Sequence, residues 1–314
     1  MKATQYNKYG GPEVLEINKN APSPTVESGK ILVEIHAASL NPFDVTLRSG
    51  RLKEMMPLQF PVTIGGDFSG VVFQLGKGIL DFKIGDEVYG QSLIVNGGSG
   101  ALAEFCAAKT VGISHKPKNI NHVEAASLPL VGASAIQVLV EHIKLKKDQK
   151  ILIHGGSGGI GSIAIQLAKY LGAYIVTTVS AENGEFAKGL GADEVIDYKT
   201  QKFEDLLKDF DAVFDTVGGD TMGRSFKVLK KGGVIVSMLG VPNPELAKEH
   251  GVTSIGQVTR INNKTLARLT ELVEKGAINP QIDKVFPLDE AREAFEYFES
   301  AHPRGKVVIK IKGI

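Results

Sequence analysis

The chain changes its hydrophobic period once near residue 122 and again near residue 279. Before the first change the pattern is short and alternating. In KILVEIHAASL, residues 30–40, Ile31, Val33 and Ile35 alternate with Leu32, Glu34 and His36, the period of a half-buried strand. GDFSGVVFQLG and GDEVYGQSLIV are further β-branched runs punctuated by glycine, and Pro42, Pro57 and Pro61 mark loops between strands. Such spacing predicts a small barrel or sandwich. From His122 the stretch HVEAASLPLVGASAIQVLVEHIKL carries a helical apolar pattern, and beyond Lys150 an alternation begins. Strands are expected at 151–154, 174–179, 194–197, 211–215 and 233–237, with helices at 158–171, 182–189, 202–208 and 220–230 between them. Asp220 and Thr221 offer cap chemistry for the last of these helices. Strands and helices in this order predict βαβ units on a parallel sheet, an α/β fold. The tail reads as a helix closed by Gly276 with Asn279–Pro280 beyond it, a second helix in LDEAREAFEYFES, and a terminal strand in GKVVIKI. These last pieces are expected to return to the β-rich domain.

Composition narrows the class without naming a function. A length of 314 residues predicts two domains at roughly 150 residues each. Hydrophobic residues at 43% can bury a real core, and a formal net charge of +1 supplies no electrostatic footprint for nucleic acid or an acidic membrane surface. The single cysteine, Cys106, excludes an intramolecular disulfide framework and a multi-cysteine zinc site. MKATQYNKYGG has no apolar core behind its lysine, so no signal peptide is read there. Residues 151–168 are uncharged, but the central glycines, Ser157 and His154 argue for strand, turn and buried helix rather than a membrane span. A cytoplasmic protein with no membrane or nucleic-acid partner is the expectation.

The glycines of GGSGGIG, residues 155–161, carry the first chemistry. Gly156, Gly158 and Gly161 match G-x-G-x-x-G, a weak signal alone. Here an apolar strand precedes it, and the helix after it places Ile160, Ile163, Ala164, Leu167 and Leu171 on one face. In that context the glycines permit a tight turn, close backbone approach to a pyrophosphate, and close helix–strand packing. The helix N-terminus adds favourable partial positive charge. No Lys-Ser/Thr pair follows the last glycine, which excludes a Walker-type loop. The ligand expected at Gly156, Ser157, Gly158, Gly159, Ile160 and Gly161 is a dinucleotide.

Over essentially its whole length the chain resembles the zinc-free quinone oxidoreductase branch of the medium-chain dehydrogenase/reductase superfamily. MKATQYNKYGGPEVLEI is similar to the N-terminal signature of that branch, and GGDFSGVVFQLGKGILDFKIGDEVYG (65–90) to its most specific motif outside the glycine loop. LPLVGASA, FDTVGGD and the final RGKVVIKI also resemble family segments. The resemblance implies a GroES-like domain built from both chain ends, 1–122 and 279–314, enclosing a Rossmann domain at 123–278 with a doubly wound parallel sheet. It also implies that Ser134, Val217, Met238 and Gly240 line the cofactor, and that members pair as homodimers through Rossmann edge strands. GQVTRI (256–261) is the candidate edge here.

Zinc-using relatives place a cysteine in the loop matching SLNPFDV and a His-Glu pair in the segment matching IGGDFSG, where this chain has Asn41 and Gly66-Asp67. The four-cysteine structural loop is missing, and the seven histidines form no H-x-H or H-E-x-x-H arrangement. No metal site is expected, and Cys106, in a strand-like stretch, reads as a small hydrophobe. The cofactor then carries the chemistry. The resemblance implies hydride transfer from NADPH to a quinone or to the β-carbon of an enone. A hydrogen-bond donor is needed for the developing oxyanion, and Asn41 and Thr46 are the candidates on the family's cleft loop. Asn41-Pro42 is equally good turn chemistry. Relatives often have tyrosine where Thr46 stands, so water is the alternative proton source. A nicotinamide-binding protein with a structural or regulatory role remains the second reading, and a zinc-type alcohol dehydrogenase the third.

Cofactor choice is read at the end of the second Rossmann strand. AYIVTTVSAEN places no acid at Thr178, Val179 or Ser180, and Glu182 reads as a first-turn helix residue. Ser180 can donate to a 2′-phosphate. Asn183 stands where relatives often have lysine, leaving Lys188 and Tyr198 as further candidates. NADPH over NADH is the expectation.

Overall fold

The computed structural model describes residues 1–313. The chain divides into two compact units, one of Met1–Leu130, Ile261–Glu274 and Pro280 onward, the other of Val131–Arg260 and Lys275–Asn279.

The second unit is built on six strands: β1 (Lys150–His154), β2 (Tyr174–Val179), β3 (Glu194–Asp197), β4 (Phe210–Asp215), β5 (Leu229–Ser237) and β6 (Thr253–Gly256). Their order is β3-β2-β1-β4-β5-β6, and every pairing is parallel. This is the expected doubly wound Rossmann sheet, with the order reversing between β1 and β4, where such sheets bind ligands. β1 reads as a continuous apolar run because the sheet is covered on both faces, and Ile151, Leu152 and Ile153 are all fully buried.

The helices depart from expectation in instructive ways. The helix after the glycine turn, α1 (Gly159–Tyr170), is buried from Gly161 to Ala168 rather than along one stripe, while Ile160 and Leu171 are half-buried. Its polar mid-helix residue Gln166 explains the added coverage. The Gln166 amide donates to the Asn279 carbonyl and accepts from the Asn279 N–H, which fastens a second chain segment over the helix. The stretch 182–189 is a 3₁₀ turn, Ala181–Asn183, followed by a helix at Gly184–Gly189. The stretch 202–208 shortens to Phe203–Leu206.

The expected helix 220–230 ends at Arg224, passes into a 3₁₀ turn at Ser225–Val228, and gives way to β5 at Leu229. Phe226 and Val228 are fully buried, so core packing rather than a helical face claims them. Its N-cap is Gly219, with no side-chain cap bond, so Asp220 and Thr221 do not cap it. The candidate edge 256–261 is corrected as well. The edge strand β6 stops at Gly256, and Gln257 instead bonds through its side chain to Gln137 and His142.

The first unit holds a seven-stranded sheet with the path 282–287, 306–310, 30–39, 67–75, 87–91, 113–115; Phe105–Lys109 also pairs with Lys30–Ser39. Ala3–Tyr6 forms a smaller sheet with Glu16–Asn18 and Val62–Thr63. The C-terminal strand 306–310 joins strand 30–39 antiparallel, Val308 opposite Ser39, so segments from both halves of this unit share one sheet. Alternation along 30–39 is blurred because Leu32 and residues 37–39 are also buried. Register shifts at Leu32/Val33 and Ile35/Ala37 turn successive side chains out of strict alternation. The helix Asn263–Glu274 belongs to this unit, where Tyr89 donates its hydroxyl to the Leu266 carbonyl at 2.7 Å. Among the described residues no helix is long and apolar enough to cross a membrane.

Candidate cofactor turn and buried polar cluster

The glycine turn lies at the carboxyl end of β1. Gly155 and Gly156 donate their N–H groups to the Thr178 carbonyl at 3.2 and 3.3 Å, and Gly158 N–H donates to the Gly155 carbonyl at 3.0 Å. Two of the three motif glycines are required by the protein itself. A Cβ on Gly156 would lie 2.1 Å from Thr177 Oγ1, and one on Gly161 would lie 2.1 Å from the Gly155 carbonyl oxygen. Gly158 differs: its Cβ would meet only the Gly155 oxygen, at an ordinary 3.4 Å. Helix approach therefore does not demand glycine at 158, as expected of the motif's second glycine, whose role is to let the backbone approach a pyrophosphate. What remains is room for a ligand. Gly158 is also the N-cap of α1 and supplies no side-chain cap, leaving the first-turn N–H groups for an anion.

At the next strand end, β2 and β3 pair with Val179 opposite Asp197, so Ser180 and Tyr198 follow at neighbouring positions. Ser180 is buried and accepts from Asn183 Nδ2 at 3.0 Å. Glu182 is more than a helix-start residue. Its carboxylate accepts from the Ser180 hydroxyl, which holds it below the usual carboxylate range, and it pairs with Lys199 at 3.4 Å. Asn183 Oδ1 is buried without a hydrogen-bond partner. Tyr198 is 59% exposed. Lys188 is held by Glu185 at 3.2 Å and makes no described contact with Ser180, Asn183 or Tyr198. The structure thus gathers Ser180, Asn183 and Tyr198, sets Lys188 apart, and adds Lys199.

The remaining cofactor candidates occupy the ends of β4 and β5 and a neighbouring helix. Val217 follows β4, half exposed, with its N–H donating to Asp215 Oδ1 at 3.0 Å. Met238 follows β5 and donates its N–H to the Asp215 carbonyl at 3.0 Å, so Asp215 fastens both segments. Gly240 is exposed, at φ +116. Ser134, fully buried on Pro129–Ile136, hydrogen-bonds Thr259 at 2.7 Å.

In the other unit, Asn41 caps the helix Pro42–Arg48 and is only 3% exposed. Its backbone N–H donates to Asp44 Oδ2 at 2.8 Å, and its side-chain Nδ2 donates to Asp67 Oδ2 at 3.0 Å. Lys306 donates to Asn41 Oδ1 and, at 2.5 Å, to the Leu40 carbonyl. Asp67 also accepts from Gln91 Nε2 and the Leu130 N–H, each at 3.0 Å. Burial pushes Asp67 up and Lys306 down, and it raises Asp44 to about 7. Thr46, half-buried, donates its hydroxyl to the Pro42 carbonyl at 3.0 Å. Sequence reasoning found Asn41 but missed Lys306 and Asp44, and saw Asp67 only as a missing ligand. The signal was a lysine directly before the apolar run VVI of the last strand.

Other reactive groups are accounted for by packing. Cys106 is fully buried, and burial pushes its thiol up to about 12. His154 is fully buried between Thr178 and Ser225, and burial lowers it to about 4. Ser69, His122 and Glu87 form a chain, Ser69 Oγ to His122 Nδ1 at 2.8 Å and His122 Nε2 to Glu87 at 3.1 Å. The Ser69 proton goes to the Val88 carbonyl at 3.0 Å, which is not the arrangement of a nucleophile with its base. Among the described residues no group of three or more His, Cys, Asp or Glu could hold a metal ion.

Comparison with known proteins gives this arrangement a lineage. Residues 27–118 match a family model described as the alcohol dehydrogenase GroES-like domain, and residues 190–309 one described as zinc-binding dehydrogenase. The chain is 37% identical to a chloroplastic NADPH-dependent alkenal/one oxidoreductase of Arabidopsis thaliana, covering 98% of this chain and 79% of that protein. Quinone oxidoreductase from Coxiella burnetii superposes with a TM-score of 0.91 at 36% identity, covering 99% of each chain. Escherichia coli quinone oxidoreductase complexed with NADPH superposes at 0.86 with 28% identity, over 99% of this chain and 100% of that one. On these grounds the chain belongs to the quinone oxidoreductase branch of the medium-chain dehydrogenase/reductase superfamily.

Proposed function

We propose that the chain is an NADPH-dependent oxidoreductase that reduces quinones or α,β-unsaturated carbonyls. The observation that carries the reading is Gly158, whose missing side chain leaves space that no protein atom claims, at the uncapped N-terminus of a buried helix. The residues fit a dinucleotide. Gly156 to Gly161 would hold the pyrophosphate, Ser180, Asn183 and Tyr198 would meet the adenosine phosphate, and Ser134, Val217, Met238 and Gly240 would bound the nicotinamide. Bound NADPH supplies a hydride from its nicotinamide ring. The protein's share is to orient the acceptor, exclude water and stabilise negative charge on the acceptor oxygen.

For that last task Asn41 is the better of the two candidates. Thr46 has one hydroxyl proton, and it is engaged with Pro42. Asn41 Nδ2 has two protons, and among the described residues only one has an acceptor. The proton that completes reduction then comes from water. The donor chemistry around Asn41 also supports catalysis without zinc, since a lysine ammonium already bonds the Asn41 amide oxygen. A cytoplasmic homodimer completes the reading, with β6 as the pairing edge of the Rossmann sheet.

NADPH oxidation with a panel of quinones and enones tests it. Turnover of at least one acceptor, undiminished after exhaustive chelation, is expected. Tight NADPH binding with no turnover of any acceptor would instead support a structural role, and stoichiometric zinc whose removal abolishes turnover would defeat the metal-free mechanism.

A further inference from the structure

Asn41 does not sit in its site by itself. A carboxamide side chain can flip by 180°, exchanging oxygen for nitrogen, unless its partners forbid it. Here they do. Lys306 has only donors to offer and faces Oδ1; Asp67 accepts three separate N–H donors through its two oxygens and faces Nδ2. The flipped amide would set its NH₂ against an ammonium and its oxygen against a carboxylate. Both partners are themselves fixed, Lys306 by the Leu40 carbonyl and Asp67 by Gln91 and the Leu130 N–H.

We propose that Lys306 and Asp67 are positioning residues that clamp the Asn41 carboxamide in one orientation, and that this clamp sets how well Asn41 serves the acceptor oxygen. The clamp leaves the second Nδ2 proton as the one donor of that side chain without an acceptor among the described residues. An ammonium on the amide oxygen also draws electron density from the nitrogen and makes the remaining N–H a stronger donor. Stability does not explain the arrangement. Lys306 and Asp67 make no direct ion pair; the Asn41 carboxamide lies between them. Even directly paired buried charges are commonly no better than apolar residues of the same volume. The chain nevertheless buries Lys306 to 4% exposure and Asp67 to 0%.

The inference rests on Asn41 acting on the acceptor, and a mutant cycle separates the two ideas. NADPH-coupled turnover by the wild type comes first; its absence removes the functional reading itself. With turnover in hand, Asn41→Ala is expected to lower kcat about 100-fold, the range for loss of an oxyanion donor. Lys306→Met and Asp67→Asn should each lower kcat about 10-fold or more while KM for NADPH and acceptor moves less than about 3-fold. In an Asn41→Ala background the same changes should lower kcat by less than about 2-fold more, because groups acting through one side chain are not additive. If Lys306→Met does not fold, the paired Asp67→Asn/Lys306→Met variant removes both charges together and is measured in its place. Unchanged kcat in Asn41→Ala, unchanged kcat in the clamp variants, or equal losses with and without Asn41 would each overturn the clamp.

Discussion

The glycine turn and the Asn41 cluster solve opposite problems. The turn is six consecutive residues, 156–161, four of them glycine, so that the backbone can bend tightly and the first turn of α1 has no side-chain cap. The cluster brings together residues up to 265 positions apart and fills its space with charge. In the turn, Gly156 and Gly161 are required by packing, whereas a Cβ on Gly158 would meet no protein atom closer than 3.4 Å, which is why the proposed ligand site centres on it. In the cluster every partner of Asn41 is internal, and a single proton of the amide is left over. One site is made ready by vacancy, the other by saturation. Substitutions should therefore fail differently in the two places.

The sharpest test of that contrast combines one change at each site. Gly158→Val should fold, since its Cβ meets no protein atom closer than 3.4 Å. It should still lose at least about 100-fold in NADPH affinity, about 2.7 kcal/mol, with a melting temperature near the wild type's. Calorimetric titration beside a thermal melt reads both quantities, and wild-type affinity in a folded variant would show that Gly158 does not face the cofactor. Lys306→Met should do the reverse. Removing the ammonium leaves the Asn41 amide oxygen and the Leu40 carbonyl without their buried donor and takes a positive charge away from buried Asp67. The cost should be about 1–3 kcal/mol or more in denaturant unfolding. Asp67→Asn added to it should restore part of that stability. A lone Lys306→Met as stable as the wild type would mean that the ammonium and the carboxylate are not coupled.

The same contrast explains what was legible in the sequence. The turn could be read because strand, glycines and helix are contiguous and local periods announce them. The parallel order of the sheet followed for the same reason. The element boundaries that failed were those set by tertiary packing. Phe226 and Val228 look helical in sequence but are drawn into the core. The edge strand ends at Gly256, where the Gln257 N–H still bonds Ser237 but its side chain turns to Gln137. The cluster was half legible. Asn41 stood out beside Pro42, whereas Lys306, 265 residues away, looked like any lysine at the start of a strand. Only its burial distinguishes it, and burial is a property of the assembled sheet.

Titration separates the two regions by sign. Burial raises Asp44 to about 7, so between the ordinary aspartate value near 4 and pH 7 the folded chain holds a proton that the unfolded chain releases. That contribution is present in acid and lost as pH rises through about 7. His154, lowered to about 4 by burial, behaves oppositely: between about 4 and 6.5 the unfolded chain binds the extra proton, so stability rises with pH across that window. Asp44→Asn should therefore flatten a decline in stability toward neutral pH. His154→Asn should flatten a rise from acid. Melting temperatures measured from pH 4 to 8 check both, and slopes of the same sign in the two variants would break the distinction.

The smallest expected effect lies at the edge of the cofactor region, where vacancy and charge meet. Ser180 carries the hydroxyl expected to donate to a 2′-phosphate, yet Ser180 also holds the Glu182 carboxyl below the usual carboxylate range, and Glu182 is held in turn by Lys199 at 3.4 Å. A phosphate at Ser180 must displace this carboxylate, which otherwise repels it. Lys199, the partner of Glu182, would then be free to meet the phosphate, in a place where Asn183 supplies no charge. If the 2′-phosphate binds at Ser180 as proposed, Glu182 would act as a brake on NADPH preference and Lys199 as its counterweight. Glu182→Gln keeps the side-chain size, removes the repulsion and frees Lys199. It should raise the NADPH-to-NADH ratio of kcat/KM about 10-fold, close to 1.4 kcal/mol. Ser180→Asp should narrow or reverse the ratio by adding a second carboxylate. Lys199→Met should lower the ratio by a similar factor, mainly through KM for NADPH. All three are exposed or at a strand end, so melting temperatures should stay within a few degrees of the wild type. A Glu182→Gln enzyme with an unaltered cofactor ratio would place the 2′-phosphate elsewhere and leave the Glu182–Lys199 pair as an ordinary surface ion pair.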